Sequence, residues 1–338
     1  MTKKPDRNLG MDLVRVTEAA ALSAAHYMGL GNKEAGDQAA VDAMRSVLET
    51  IEMDGVIVIG EGKKDEAPML YNGEQVGNGR APAVDVAVDP IEGTGLLAYG
   101  RPNAISVIAI AERGSMWQPG PSLYLNKIVV ERAARQAIDI TLSATDNLHR
   151  IGGALGRRIN ELTVFVLDKP RHRDLIAEIR AAGARISLHT DGDVVGALMA
   201  AIPGTGVDIL MGIGGTPEGV IAAAAVKALG GGMQAMCAPQ SDAERKDLEV
   251  ALGDETYSML TLDNLLKARD AFFAATGVTD GPFLEGIHYD RQGGVTTHSI
   301  VIRALSGSVR YIKGVHQLMR DFRFGHVDVE EAVKIAIH

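Results

Sequence analysis

An α/β fold is predicted for this chain by three observations: short apolar strands alternate with helical patterns, acids and glycines gather where strands stop, and no internal repeat or low-complexity linker interrupts the 338 residues. Helical periodicity fills residues 11–27 and 34–52, and strands follow at 56–59, 84–89, 104–111 and 126–130. The polar, glycine-bearing segment from Asp146 to Asn160 then interrupts the pattern. Beyond it come a strand at Leu162 to Leu167, a helix at Arg173 to Ala182, a strand at Arg185 to Leu188, and a helix at Val194 to Ala201. A strand at Val207 to Met211 and a helix at Gly219 to Leu229 complete a crossover α/β region. Later strands at Ala271 to Thr276 and Thr297 to Ala304 can join either sheet. A boundary near residue 160 is expected, since the length suggests about two units at roughly 150 residues each.

Charge and composition narrow the function. With 34 basic against 43 acidic residues the net charge is -9, which disfavours nucleic acid as a partner but leaves room for a local basic patch facing a small phosphorylated molecule. Cys237 is the only cysteine, so an internal disulfide and a cysteine-based zinc site are excluded and a reducing cytoplasm is expected. The stretch Met1 to Arg7 leads into an Ala-rich amphipathic helix rather than a signal region, and no run approaches the roughly 18 apolar residues of a membrane span. The 9 histidines show no metal-ligand spacing, and the 13 methionines read as core packing.

The most informative segment is V-D-V-A-V-D-P-I-E-G-T, from Val84 to Thr94. In a period-2 strand Val84, Val86 and Val88 share one face and Asp85 and Asp89 the other. Pro90, lacking an N–H, is expected to end the ladder. Glu92, Gly93 and Thr94 then precede the apolar run Leu96-Leu97-Ala98-Tyr99, which suits a helix start whose free N–H groups favour an anion. Asp37, Glu61 in I-G-E-G and Glu218 in G-I-G-G-T-P-E-G are further acids beside glycines at element ends. Carboxylates so placed can assemble a site for Mg²⁺ or Mn²⁺. Each also has a structural reading: Asp37 or Thr94 as a helix cap, Asp89 and Glu92 as turn residues, Asp85 as a support.

The chain resembles the class II fructose-1,6-bisphosphatases, bacterial members of the lithium-sensitive, metal-dependent sugar and inositol phosphatase superfamily. The resemblance rests on M-D-L-V-R-V-T-E-A-A-A-L, N-K-E-A-G-D-Q-A-A-V-D-A-M-R, I-G-E-G-K-K-D-E-A-P-M-L-Y, V-D-P-I-E-G-T, K-P-R-H, D-G-D-V, G-I-G-G-T-P-E-G-V and A-T-G-V-T-D-G, in that order over most of the chain. Two departures are Gly95, where the family usually carries a larger side chain, and a shorter stretch from Met233 to Asp254.

The resemblance implies a layered α-β-α-β-α sandwich with the active site between its two sheets. It implies a metal-binding catalytic unit over residues 1–160 and a substrate-binding unit over 161–338 that completes the site. Asp37, Glu61, Asp89, Glu92 and Glu218 match the family's metal ligands, with Mn²⁺ or Mg²⁺ as cofactor. Thr94, with Asp37 or Glu61, matches the set that activates water. Substrate contacts fall at Glu92, Gly93, Thr94, Tyr124, Lys169, Pro170, Arg171, Asp191, Gly192, Asp193 and Gly215, where Gly214 and Gly215 would admit backbone N–H groups to the ligand. Lys169 and Arg171 would face the phosphate remote from the reaction, and His172 reads as an ordinary surface histidine.

The implied activity is hydrolysis of the 1-phosphate of fructose-1,6-bisphosphate in the cytoplasm by a homo-oligomer, dimer or tetramer. Use of sedoheptulose-1,7-bisphosphate and a non-catalytic sugar-phosphate sensor remain alternatives. A dinucleotide loop at G-I-G-G-T-P-E-G is disfavoured, because Pro217 occupies the third small position and Glu218 sets a negative charge where pyrophosphate would lie.

Overall fold

The computed structural model describes residues 8–62, 69–118, 120–291 and 293–317. The stretch Met1 to Arg7 and residues 63–68 of the I-G-E-G-K-K-D-E-A-P-M-L-Y motif lie outside them. The strands are β1 (Asp54–Ile59), β2 (Gln75–Val76), β3 (Ala83–Glu92), β4 (Ile105–Glu112), β5 (Tyr124–Val130), β6 (Thr163–Leu167) and β7 (Arg185–His189). They continue with β8 (Ile209–Gly215), β9 (Gly232–Cys237), β10 (Leu260–Thr261), β11 (Ala271–Gly277), β12 (His288–Tyr289), β13 (Gly294–Arg303) and β14 (Ser308–Gln317). The α-helices are α1 (Gly10–Ala25), α2 (Lys33–Leu48), α3 (Thr94–Ala98), α4 (Ala144–Leu155), α5 (Arg173–Ala181), α6 (Asp193–Ala201), α7 (Thr216–Leu229), α8 (Asp242–Leu252) and α9 (Leu262–Leu265).

Two sheets form, ordered β12-β13-β11-β4-β3-β1-β2, with β14 on β13, and β10-β9-β5-β8-β6-β7. Helices α1 and α2 cover the outer face of the first sheet, and α4 and α5 pack with the outer face of the second. Between the sheets lie α6 and α7, buried on nearly every side. A helix pressed by a sheet on each side must be apolar all round, which explains A-A-A-A-V within α7. Close approach also needs glycine: a Cβ on Gly196 of α6 would lie 2.6 Å from the Phe165 ring on β6. This α-β-α-β-α layering is the sandwich the resemblance implied.

The period-2 reading of β3 holds. Val84, Val86 and Val88 pack with α1 and α2, while Ala87 faces the core between the sheets. Asp85, on that same inner side, is 1% exposed and accepts the Met116 N–H at 3.0 Å, a supporting role.

Two expectations are corrected. Pro90 does not end β3: the pairing with β4 slips between Asp89 and Glu92 and resumes at Glu92 opposite Ile105, so the missing N–H falls within a bulge. The polar segment Asp146 to Asn160 is no gap, because residues 144–155 form α4, capped by Ser143, whose hydroxyl accepts the Asp146 N–H at 3.0 Å. The later strands, left open between the two sheets, join the first as β11 and β13 together with β12 and β14, while β5 belongs to the second.

Candidate active site

The acids come from separate elements that end in one place. Asp37 lies in the second turn of α2, Glu61 follows β1, Asp89 and Glu92 flank the β3 bulge, and Glu218 sits in the first turn of α7. Their mutual field identifies them as one cluster. Burial, then the charges of Glu218, Glu92, Glu61 and Asp37, hold the Asp89 carboxyl well above the ordinary range. Burial followed by the Asp37 charge pushes Glu61 up to about 7. Glu92, 3% exposed, is pushed up to about 8 by burial, with Asp193 and Glu218 adding to it and the Val194 N–H working against it. Asp37 and Glu218 are also raised by burial, Glu218 being restrained by Lys127.

Helix caps settle two alternatives. The N-cap of α2 is Asn32, which accepts the Ala35 N–H at 3.1 Å, so Asp37 is not a cap. Gly93, left-handed at φ 88°, precedes α3, and no side chain caps that helix, so Thr94 is not a cap either. The left-handed turn at Gly93 swings the chain from the β3 end into α3, setting Thr94 two residues from Glu92.

The first turn of α6 joins the two sheets. Glu92 Oε1 accepts the Val194 N–H at 3.1 Å. Asp193 is paired with the Lys127 ammonium, which also donates to the Gly215 carbonyl at 3.1 Å. One residue before the glycine N-cap Gly192, Asp191 pairs with Lys169 at 2.9 Å. A Cβ on Gly95 would meet Asp191 Oδ2 at 3.2 Å and Lys33 Nζ at 3.6 Å, which places that basic edge beside Thr94. Gly214 and Gly215 make room for carboxylates: a Cβ on either would collide with Asp193 or Glu218.

Arg171, after Pro170 in a short 3₁₀ turn, donates to the Ile213 carbonyl at 3.1 and 3.0 Å and lies 5.2 Å above the Tyr124 ring. Tyr124 is paired in register with Gly215, so both stand where β8 enters α7. His172 is buried at 1% exposure rather than on the surface. Its Nδ1 lies 2.6 Å from the Leu167 carbonyl and its Nε2 accepts the Ile213 N–H at 2.7 Å, so the ring ties the K-P-R-H turn to β8. Burial lowers its pKa, keeping it neutral.

Residues 7–316 match the family described as bacterial fructose-1,6-bisphosphatase, glpX-encoded. The fructose-1,6-bisphosphatase 1 class 2 of Escherichia coli strain K12 is 42% identical over 327 residues, spanning 93% of this chain and 96% of the relative. Class 2 enzymes of Escherichia coli O6:H1 and Shigella flexneri match to the same extent. The chain belongs to the class II fructose-1,6-bisphosphatase family. It is a phosphoric monoester hydrolase acting on fructose-1,6-bisphosphate, a gluconeogenic reaction, in a family that depends on metal.

The fructose-1,6-bisphosphatase cluster fits a hard divalent cation. Among the described residues, no three His, Cys, Asp or Glu already close around one metal-sized point. Glu92 Oε2 and Glu218 Oε2 are nonetheless buried without a hydrogen-bond partner, and burial raises the pKa of both carboxyls. Oxygen donors with unmet acceptor capacity are the set that Mg²⁺ and Mn²⁺ prefer.

Lys127 was missed by sequence reasoning. The signal was present: in Y-L-N-K-I-V-V a lysine shares the inward period-2 face with Leu125 and Val129, where only a paired charge is tolerated. No helix among the described residues is long and apolar enough to cross a membrane.

Proposed function

We propose that Asp37, Glu61, Asp89, Glu92 and Glu218 hold Mg²⁺ or Mn²⁺, and that Thr94 with Asp37 or Glu61 directs the attacking water onto the 1-phosphate of fructose-1,6-bisphosphate. The observation that carries this reading is the Asp89 carboxyl, raised by its burial and then by the charges of four neighbouring acids. Divalent cations bound there supply charge neutralisation for the phosphoryl oxygens and lower the pKa of water. As the water attacks, its proton would pass to the Thr94 hydroxyl while the hydroxyl's own proton passes to Asp37 or Glu61. Gly93, Asp191, Gly192, Asp193 and Gly215 shape the sugar pocket, Lys169 and Arg171 grip the remote phosphate, and Pro170 and Tyr124 contact the substrate beside them. Arg171 is exposed and stacked on Tyr124, which supports that role.

The lone cysteine Cys237, buried and free, supports a cytoplasmic setting. Exposed Val309, Tyr311 and Val315 on the edge strand β14 support a homo-oligomer, dimer or tetramer. The reading is tested by phosphate release from fructose-1,6-bisphosphate, sedoheptulose-1,7-bisphosphate, fructose-6-phosphate and inositol-1-phosphate, with Mg²⁺ and Mn²⁺ in parallel. Preference for the monophosphates would reject the bisphosphate pocket.

A further inference from the structure

A cavity of about 720 Å³ opens at the end of the first sheet opposite the acids, where β3 starts, β4 ends and the chain enters β11. From Val84 at this cavity to Glu92, β3 spans roughly 25 Å at about 3.3 Å per residue, so the cavity is separate from the catalytic cleft. Four cations, Arg113, Lys267, Arg269 and Arg303, line it against two acids, Glu112 and Asp270, in a chain whose net charge is -9.

Two of those cations are committed. Arg303 forks onto Asp270 and lies 4.8 Å above the Phe272 ring, and Arg113 is held by Asp54 and the Val84 carbonyl. Lys267 and Arg269 are different. Both are exposed, flank the buried Ala268 and line the cavity. Neither has an ion pair or side-chain hydrogen bond among the described residues. The Lys267 N–H donates to the Ser115 carbonyl at 2.9 Å, which fixes the run against the turn after β4. Ser115 also lines the cavity, is 7% exposed, and has a buried hydroxyl without a hydrogen-bond partner. The remaining wall is apolar, from Leu9, Ile110 and Phe272.

We propose that this cavity binds a small organic phosphate or phosphonate, its anionic head between Lys267, Arg269 and Ser115 and a flat apolar body against Leu9, Ile110 and Phe272. The volume lies within the range of small-molecule sites, roughly 300–1,000 Å³. Free cations supply recognition of the head, and the apolar wall selects against the bare anion.

Phenylphosphonate, which is not hydrolysed, is the probe, titrated calorimetrically into the full chain in chelator. Saturable binding is expected, weakened at least about tenfold in Lys267→Ala/Arg269→Ala and unchanged in Arg171→Ala. Metal-activated turnover of the double variant should match the wild type, which shows that it is folded. Inorganic phosphate should bind at least about tenfold more weakly than phenylphosphonate. Absence of saturable binding, equal affinity in the double variant, loss of binding in Arg171→Ala, or equal affinity for inorganic phosphate would each overturn the proposal.

Discussion

Glu92 Oε1 accepts the Val194 backbone N–H at 3.1 Å, so the last residue of β3 is bonded to the first turn of α6, a helix of the layer between the sheets. The other oxygen of Glu92 is buried and unpartnered. One carboxylate thus ties β3 to α6 through one oxygen and keeps acceptor capacity on the other.

The raised carboxyls make metal-free protein sensitive to alkali. Glu61 is pushed to about 7 and Glu92 to about 8, above the ordinary Glu value of 4.5. The folded state therefore holds more protons than the unfolded state between about pH 4.5 and 8, and stability is present below that window and lost as pH rises through it. In chelator the melting temperature should fall from pH 5.5 to 8.5, and Mn²⁺ or Mg²⁺ at pH 8.5 should restore it. A melting temperature that rises with pH in chelator would contradict this.

Lys127 is an internal counter-ion. Its side chain is 2% exposed and that of Asp193 10%, so removing one partner strands a buried charge. Lys127→Met should cost about 3–5 kcal/mol of stability, and adding Asp193→Asn should recover part of it. Denaturant unfolding of both variants decides the point. Additive losses would mean that the pair does not act as a unit.

Thr94 carries no cap, which sharpens its test. Thr94→Val should lower kcat by about 10²–10⁴ with the melting temperature nearly unchanged, while Thr94→Ser retains more activity. Near-normal kcat in Thr94→Val would remove the hydroxyl from the reaction.

Arg171 is tested by substrate choice. Arg171→Ala should reduce kcat/KM strongly for fructose-1,6-bisphosphate and much less for a substrate lacking the remote phosphate. Equal losses on both would place the guanidinium elsewhere.

Much of this architecture was legible in the sequence, for identifiable reasons. Val84, Val86 and Val88 alternate with inward acids because a sheet covered on both faces still sorts its two sides, and the acid-glycine motifs stand where elements end. The β3 bulge was not legible, since Pro90 carries the same signal whether a strand stops or slips. Strand β14 was missed because one of its faces meets solvent and its apolar residues are spaced by Arg310, Lys313 and Gln317. The return of β11 to β14 to the first sheet depends on long-range pairing that local periodicity does not encode. His172 looked like a surface residue because its two hydrogen bonds reach main-chain groups in separate strands, β6 and β8.

The acid cluster around Asp89 is proposed to hold the cation that turnover requires. Its most direct test is a calorimetric Mn²⁺ titration of metal-free wild type and Asp89→Asn, paired with phosphate release from fructose-1,6-bisphosphate on the same samples. Saturable Mn²⁺ binding that activates the wild type, with binding and turnover both collapsing in the folded Asp89→Asn protein, is the predicted result. Full turnover in chelator, or wild-type Mn²⁺ affinity and activity in Asp89→Asn, would contradict it.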